Sequence, residues 1–113
     1  MSEEQDQISV VQWMGYKHPD LAEALHHSPN GGARDARTGA KMKKMGTRPG
    51  FPDLVLYENR GEFAGLVIEM KSAKGRLTPS QKRWAEILKR CRYQVTTAYS
   101  TDEAIKTIEE YLA

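Results

Sequence analysis

Two acidic residues and one lysine stand at the ends of two apolar runs in the middle of the chain. Asp53 follows a Gly-Phe-Pro stretch and opens the first run, residues 53–57. Glu69 and Lys71 close the second run, residues 63–68, and Glu69-Met-Lys71 is the only acidic-x-Lys triplet in the sequence. If the two runs are strands of one hairpin, antiparallel pairing brings all three side chains to the same end of it.

Two carboxylates and an ammonium group at one point are suited to hydrolysing a phosphodiester bond. Carboxylate oxygens hold Mg²⁺, which keeps several water ligands and also binds phosphate oxygens. The metal stabilises charge on the phosphoryl group and lowers the pKa of a bound water, and a nearby lysine orients that water. The backbone carbonyl of Met70 is a further candidate ligand. The alternative is a salt bridge among Asp53, Glu69 and Lys71 that only closes the end of the hairpin.

Helices are predicted on both sides of this hairpin. A capping-box pattern at Ser2 begins a helix over residues 3–15, and Thr78-Pro79 begins another that runs to about Cys91. Ser100 caps a last helix at the end of the chain. The segment between the first helix and the hairpin is harder to interpret. It suggests a short helix over residues 19–25, then a turn-rich stretch, and then weak helical patterning from Arg34 to Met45.

Strands are predicted at residues 53–57, 63–68 and 93–99, with a turn at residues 59–61 between the first two. The order is helix, loop-rich basic segment, two strands, helix, strand, helix. This order indicates an α/β fold, with a small mixed sheet flanked by helices. Residues 1–113 are expected to form one domain, since the length suits one domain and not two.

Core positions follow from the spacing of apolar residues. The buried side of the first helix is assigned to Ile8, Val10, Val11 and Met14. Ala40 and Met45 are the candidates for inward residues in the weak helix. Trp13 and Trp84 are expected to lie in the core rather than to stack on bases.

The net charge of +2 conceals two basic blocks that flank an acidic, strand-forming block. Residues 34–50 carry +5 and residues 71–92 carry +7. Clustered Lys and Arg side chains neutralise phosphates and release their counterions, although two solvated surfaces would give the same pattern. The candidates for phosphate contacts are Arg34, Arg37, Lys41, Lys43, Lys44, Arg48, Lys74, Arg76, Lys82 and Arg83.

The composition narrows the class of protein further. Charged residues make up 28% and hydrophobic residues 39%, which is typical of a soluble globular protein, and no apolar run reaches the roughly 20 residues of a membrane span. The acidic N-terminus does not resemble a signal peptide. Cys91 is the only cysteine, and His26 and His27 lack the spacing of a zinc site. A reducing cytoplasm is the simplest expected location.

Three stretches carry a resemblance to a known family: Gly46-Thr-Arg-Pro-Gly-Phe-Pro-Asp-Leu54, Gly65-Leu-Val-Ile-Glu-Met-Lys71 and Gly75-Arg-Leu-Thr-Pro-Ser-Gln-Lys-Arg-Trp84. Together they resemble the VRR-NUC branch of the PD-(D/E)xK nucleases. The likeness extends upstream to residues 29–34 and Glu3, and downstream to residues 102–105 and 111–112. It covers nearly the whole chain and implies a restriction-endonuclease-like core.

The resemblance also implies roles for individual residues. Asp53 and Glu69 would bind the metal, with the Met70 carbonyl beside them, and Lys71 would be the catalytic lysine. Glu3 occupies the place of an acid in the first helix that reaches the metal or its water. Glu4 is an alternative for that role, and Glu3 is equally explained by the helix dipole. Gln81 matches an active-site glutamine of the family, but it is also placed to close a capping box with Thr78.

Stand-alone proteins that resemble this chain act as homodimers on branched DNA such as four-way (Holliday) junctions, in phages or bacteria. The resemblance therefore implies a Mg²⁺-dependent DNA endonuclease, with Mn²⁺ able to substitute, that leaves 5′-phosphate and 3′-hydroxyl ends. The alternatives are a flap or nonspecific nuclease of the same fold, a non-catalytic DNA-binding module, or an adaptor whose basic faces meet acidic proteins. The substrate preference comes from the resemblance alone, because a fold does not define a substrate.

Overall fold

A mixed sheet of four strands forms the centre of the computed structural model, which describes residues 2–28 and 35–113. In the order β1-β2-β3-β4 the strands are Leu25–His27, Leu54–Leu56, Gly65–Met70 and Tyr93–Ala98. The helices are α1 (Glu3–Lys17), α2 (Ala36–Lys44), α3 (Pro79–Arg90) and α4 (Thr101–Leu112). This confirms the predicted α/β class with a mixed sheet flanked by helices. The predicted turn at residues 29–34, with Gly31, Gly32 and Arg34, lies outside the described residues.

The predicted hairpin is present, and its register places the chemistry. β2 and β3 pair antiparallel with Leu54 opposite Ile68, so that the next position outward sets Asp53 opposite Glu69. β3 and β4 run parallel, with Met70 opposite Ala98, and α3 connects them. A parallel pair requires such a crossover, since a tight turn cannot reverse the chain twice.

Alternation along β2 and β3 builds two hydrophobic clusters on opposite faces of the sheet. Leu54, Leu56, Leu66, Ile68 and Met70 belong to the cluster under α1 and α4. Val55 and Val67 point the other way and pack with Leu88 of α3. Because side chains alternate along a strand, Glu69 shares the face of Val67 and therefore points toward α3.

The first helix buries a narrower stripe than predicted. Val10 and Met14 are fully buried, but Ile8 and Val11 are 49% and 42% exposed. The stripe instead continues to Asp6, which is buried and accepts a hydrogen bond from the Thr101 hydroxyl at 2.6 Å. The wider prediction was wrong because α1 meets α4 and the sheet along one i, i+4 row.

The segment before β2 also differs from the prediction. The expected helix over residues 19–25 is a single 3₁₀ turn, Ala22–Ala24, followed directly by β1, which the sequence pattern did not reveal. A three-residue strand with one buried position carries too little periodicity to be recognised. Helix α3, expected to run to about Cys91, ends at Arg90, and Cys91 is its exposed C-cap.

Helix α2 forms where weak helical patterning predicted it, but it has no buried residue. Asp35 caps it, since its carboxylate accepts from the backbone N–H of Thr38 at 2.6 Å, and this bond lowers the pKa of Asp35. Ala40 and Met45, predicted to face inward, are exposed, Met45 by 75%. The basic side chains of α2 are therefore exposed, and Gly39 and Met42 are its half-buried residues. In residues 2–28 and 35–113, every helix is too short or too polar to span a bilayer.

Candidate active site

The end of the β2–β3 hairpin brings the two predicted carboxylates together. Asp53 Oδ2 accepts a hydrogen bond from the backbone N–H of Met70 at 2.8 Å, which ties the start of β2 to the end of β3. Glu69 is 6% exposed, although it is an acid. A carboxylate that deep is stable as an anion only with compensating donors or a cation.

The peptide of Met70 faces the same point. The backbone N–H of Lys71 donates to the Ala98 carbonyl of β4 at 2.9 Å. Since successive residues of a strand direct their backbone groups to opposite neighbours, Met70 directs its N–H and C=O toward the β2 side, where its N–H meets Asp53. Two carboxylates and this carbonyl thus share one end of the sheet.

The electrostatics of Glu69 show how crowded this point is. Burial, with a hydrogen bond to Asp53 and the charge of Asp53, raises the pKa of Glu69 to about 9. The Lys71 ammonium opposes that rise, and the Glu3 carboxylate adds to it. Charges on both residues are therefore close enough to act on Glu69.

Gln81 contacts Glu69 and caps α3 with the same side chain. Its Nε2 donates to Glu69 Oε1 at 3.2 Å, while its Oε1 accepts from the backbone N–H of Thr78 at 2.9 Å. The Thr78 hydroxyl in turn accepts from the backbone N–H of Gln81 at 3.2 Å. The two alternatives considered for Gln81, active-site contact and capping box, are therefore both present in the structure.

Glu3, at the start of α1, reaches the loop that follows β3. Its Oε2 accepts from the backbone N–H of Ser72 at 3.1 Å, one residue beyond Lys71. The capping box of Ser2 and Gln5 begins α1 at this point and so fixes where Glu3 stands. Of the two first-helix acids considered, Glu3 and not Glu4 makes this contact.

Lys71 is half-buried at the mouth of this group. The ion pairs among residues 2–28 and 35–113 join other partners, so the structure does not show the salt bridge that was the alternative to a metal site. A Cβ on Gly75 would lie 3.3 Å from Lys71 Cδ, so the loop after β3 runs close along the lysine. Lys71 forms no ion pair with either carboxylate, although its positive charge opposes the rise in the pKa of Glu69.

Two residues near the site were not found by sequence reasoning. His27 of β1 donates through Nδ1 to the backbone carbonyl of Asp53 at 2.9 Å, and the N–H of Ser28 points at the same oxygen at 3.3 Å. A carbonyl only accepts, so Nδ1 carries the hydrogen. The signal was the pair His26-His27 itself, which was weighed only as a zinc site.

A close contact joins the loop before Asp53 to α3. Gly50 has φ +85°, and a Cβ there would lie 2.4 Å from the backbone carbon of Ser80. Only glycine fits both the conformation and the space. The contact seats Asp53 and Gln81 relative to each other, because each lies within three residues of it along the chain.

The predicted DNA-contact residues that the structure describes are exposed. Lys41 and Lys44 are exposed on α2, and Lys74 and Arg76 are exposed in the loop between β3 and α3. Arg48 is exposed and lines a groove beside α3. Arg34 lies outside the described residues.

The donor set fits a hard divalent cation. Within residues 2–28 and 35–113 no three His, Cys, Asp or Glu side chains converge as a metal cluster. The predicted set needs only Asp53 and Glu69, with the Met70 carbonyl as the third protein ligand. All three are oxygen donors, and Mg²⁺ is commonly bound by one or two carboxylates together with waters and substrate phosphates.

Comparisons with known proteins place the chain in a family. The model of the VRR-NUC domain family matches residues 2–102. A solved structure described as a "VRR_NUC domain protein" aligns with a TM-score of 0.86 at 32% sequence identity, covering 99% of this chain and 88% of that one. No curated protein matches.

The fold and the VRR-NUC match define the class as a nuclease of the PD-(D/E)xK type. The chain belongs to the VRR-NUC domain family.

Proposed function

We propose that this protein is a Mg²⁺-dependent DNA endonuclease, with Mn²⁺ able to substitute. It hydrolyses phosphodiester bonds in branched DNA such as four-way junctions, as a homodimer. The observation that supports this most is the placement of Asp53 and Glu69 side by side, with the Met70 peptide between them. Family membership supports the nuclease class independently.

In this proposal Asp53, Glu69 and the Met70 carbonyl hold the divalent ion. When bound, the ion supplies charge neutralisation at the phosphate and lowers the pKa of a coordinated water. Its positive charge would also offset the repulsion between the buried Glu69 carboxylate and the half-buried Asp53 carboxylate. Metal binding and the geometry of the pair are therefore coupled.

The remaining side chains orient and assist. Gln81 donates its Nε2–H to one oxygen of Glu69. This bond orients the whole carboxylate group, and so also its second oxygen. Lys71, with no ion pair among the described residues, presents an ammonium group to the phosphate and the attacking water. Glu3 accepts a hydrogen bond from the backbone of Ser72, and this places it to accept a proton, or a hydrogen bond from a water, beside Lys71.

The substrate and the assembly are argued from charge and from symmetry. The exposed basic residues of the loop after β3 follow Lys71 directly in the chain, and together with those of α2 they favour a polyanion over an acidic protein partner. One active site cuts one strand, and paired incisions across a junction need two copies related by a two-fold axis. A DNA substrate and a lone Cys91 agree with a reducing cytoplasm.

The test is a cleavage panel with labelled duplex, flap and four-way junction DNA in Mg²⁺, Mn²⁺ or chelator. Wild-type protein should cut the junction fastest, in either metal, and leave 5′-phosphate ends. Asp53→Asn and Lys71→Ala should lower the rate by at least about a thousandfold, since each removes one member of a unit that acts together. Lys71→Ala should still bind the DNA.

Lys89→Ala is the matched control for Lys71→Ala, because Lys89 is exposed in the last turn of α3. It should cut at the wild-type rate. Sedimentation of the wild type with and without a four-way junction measures the dimer. Cleavage that survives chelator or both active-site substitutions contradicts the proposed site, and DNA binding without any cleavage leaves only a binding module.

A further inference from the structure

A groove runs between the loop that precedes Asp53 and the exposed side of α3. Its main cavity has a volume of about 570 Å³, within the range of about 300–1,000 Å³ typical of small-molecule sites. Arg48, Ser80, Arg83 and Trp84 are among its lining residues. A second cavity of about 310 Å³ shares Arg48 and Trp84 and extends to Ser28.

The groove adjoins the active site at two points. Ser80 lines it, and the next residue, Gln81, donates to Glu69. Ser28 lines its other end, and the N–H of Ser28 points at the Asp53 carbonyl at 3.3 Å. The groove therefore lies beside residues that contact Asp53 and Glu69, and a strand whose phosphate lies at the two carboxylates can extend toward it.

The lining combines an aromatic wall with two cations. Trp84 is half-buried, with its ring edge-on to Phe51 at 5.0 Å between centroids. Trp84 packs against the cluster of Val55, Val67 and Leu88 but is only partly buried. It was predicted to lie in the core, and part of its side chain is instead accessible. Arg48 and Arg83 are exposed, and neither forms an ion pair among the described residues.

This combination matches a nucleotide, which has a flat base and an anionic phosphate. Bases stack on aromatic side chains whatever their sequence, and arginine binds phosphate in a fork geometry. A base inside a duplex is already stacked on both sides and cannot enter. An unpaired base enters without paying for unpairing.

We propose that the groove binds one unpaired nucleotide of the DNA substrate beside the cleaved phosphate, with its base on Trp84 and its phosphate at Arg48 and Arg83. The proposal rests on the proposed nuclease function and deepens it. It makes the substrate class a DNA strand that leaves a duplex, as at a flap, a gap or an open junction. The preference follows from the groove and not from recognition of a sequence.

The test measures DNA binding in Mg²⁺ by the Lys71→Ala protein, because this substitution prevents cleavage of the probe. Two labelled probes are compared by fluorescence anisotropy, a blunt duplex and the same duplex with a short unpaired tail of either polarity. We expect the tailed probe to bind at least about fivefold more tightly, the gain that stacking of one base provides. In a Trp13→Phe background, which leaves Trp84 as the only tryptophan, the tail should quench fluorescence and the blunt duplex should not.

Variants then separate the groove from general charge. Arg83→Ala and Trp84→Leu should lose the advantage of the tail, whereas Trp84→Phe should keep most of it. Arg90→Ala is the matched control, since Arg90 lies two turns further along the same side of α3 and outside the groove. Thermal unfolding of each variant shows that it is folded.

Equal affinity for the two probes, or equal loss in Arg83→Ala and Arg90→Ala, overturns the proposal. If these results occur while wild-type protein still cuts DNA in a Lys71-dependent way, the nuclease function stands and only the groove fails. If the tail binds as expected but wild-type protein does not cut, the groove binds an unpaired nucleotide and the nuclease function fails.

Discussion

A single amide at position 81 serves both the fold and the site. Gln81 accepts from the backbone of Thr78 and donates to Glu69, so folding of the first turn of α3 also orients a candidate metal ligand. The capping-box alternative was a correct reading of the pattern. It did not exclude the other role, because an amide has one accepting and one donating end.

The two roles of Gln81 can be separated by substitution. Gln81→Glu keeps the capping box, since glutamate also serves at that position, but it replaces the donor to Glu69 by a carboxylate. We expect an unfolding temperature near that of the wild type and cleavage lowered by about 10–100-fold, the range seen when a group that orients a metal ligand is lost. Steady-state cleavage assays and thermal unfolding measure the two effects.

Thr78→Ala is the complementary control. It should lower the free energy of unfolding by about 1 kcal/mol through loss of the cap, and leave the rate of the folded protein almost unchanged. A Gln81→Glu protein as active as the wild type would show that the contact with Glu69 does not matter.

His27 acts on the site through the backbone of Asp53. Its Nδ1–H and the N–H of Ser28 both point at the Asp53 carbonyl, which fixes the chain where β2 begins. His27→Ala should therefore raise the Mg²⁺ concentration needed for half-maximal cleavage by about tenfold. His27→Asn should restore it in large part, because the asparagine amide carries a donor near the position of Nδ1.

His26→Ala is the control for this prediction. His26 is the neighbour of His27 in β1 and projects to the opposite face of the sheet, because side chains alternate along a strand. It should have the metal requirement of the wild type. Identical metal titrations for His26→Ala and His27→Ala would contradict a positioning role for His27.

Among the elements, the loop that ends at Asp53 depends on its close approach to α3. Gly50 is tested against Gly61, which also has a positive φ but has nothing within 4 Å of its Cβ position. Gly61→Ala should cost about 1–2 kcal/mol of stability from backbone strain alone. Gly50→Ala should cost about 1–3 kcal/mol more, because its Cβ would overlap the backbone of Ser80.

Chemical denaturation measures the free energy of unfolding of both glycine variants. Cleavage assays at denaturant concentrations below the unfolding transition measure the activity of the folded proteins. Gly50→Ala should also lose activity, since the displaced loop carries Asp53. Equal stability of the two variants would mean that the loop accommodates the extra atom and does not set the site.

The elements that the sequence predicted well are those with a strong local signal. β2, β3 and α3 were placed within about two residues, because apolar runs and a Thr-Pro helix start leave few alternatives. β1 was missed because three residues with one buried side chain have no period to detect. Ala40 and Met45 were wrongly predicted to face inward because weak helical patterning does not identify a buried face, and α2 has no buried residue.

The site shows the same division. The register that sets Asp53 opposite Glu69 follows from the hairpin, and so the pair could be predicted from two short runs. Contacts that span long distances in sequence could not. The bond from Ser72 to Glu3 and the bond from His27 to Asp53 join segments whose approach depends on the packed fold.

At the scale of the whole molecule, charge is separated rather than large. The net charge is only +2, yet α2 and the loop after β3 expose several lysines and arginines. Binding to a polyanion therefore depends on where these charges lie. It follows that equal changes of net charge at different places should have unequal effects.

Salt dependence tests this distribution. Each phosphate contact contributes a slope of about −0.9 to the plot of log binding constant against log salt for duplex DNA. The double variant Lys41→Ala, Lys44→Ala should therefore flatten the slope by about two units. Lys17→Ala with Lys106→Ala removes the same charge from α1 and α4, which cover the other face of the sheet, and should leave the slope unchanged.

Equal slopes for both double variants would show that the basic residues act only through net charge.

The central claim is that Asp53 and Glu69 hold one divalent ion, and a crystal soaked in Mn²⁺ tests it most directly through anomalous scattering. We expect a single strong peak at about 2.0–2.3 Å from a carboxylate oxygen of each residue and from the Met70 carbonyl. The peak should vanish in Asp53→Asn crystals. A manganese peak elsewhere with none between these two carboxylates would contradict the account.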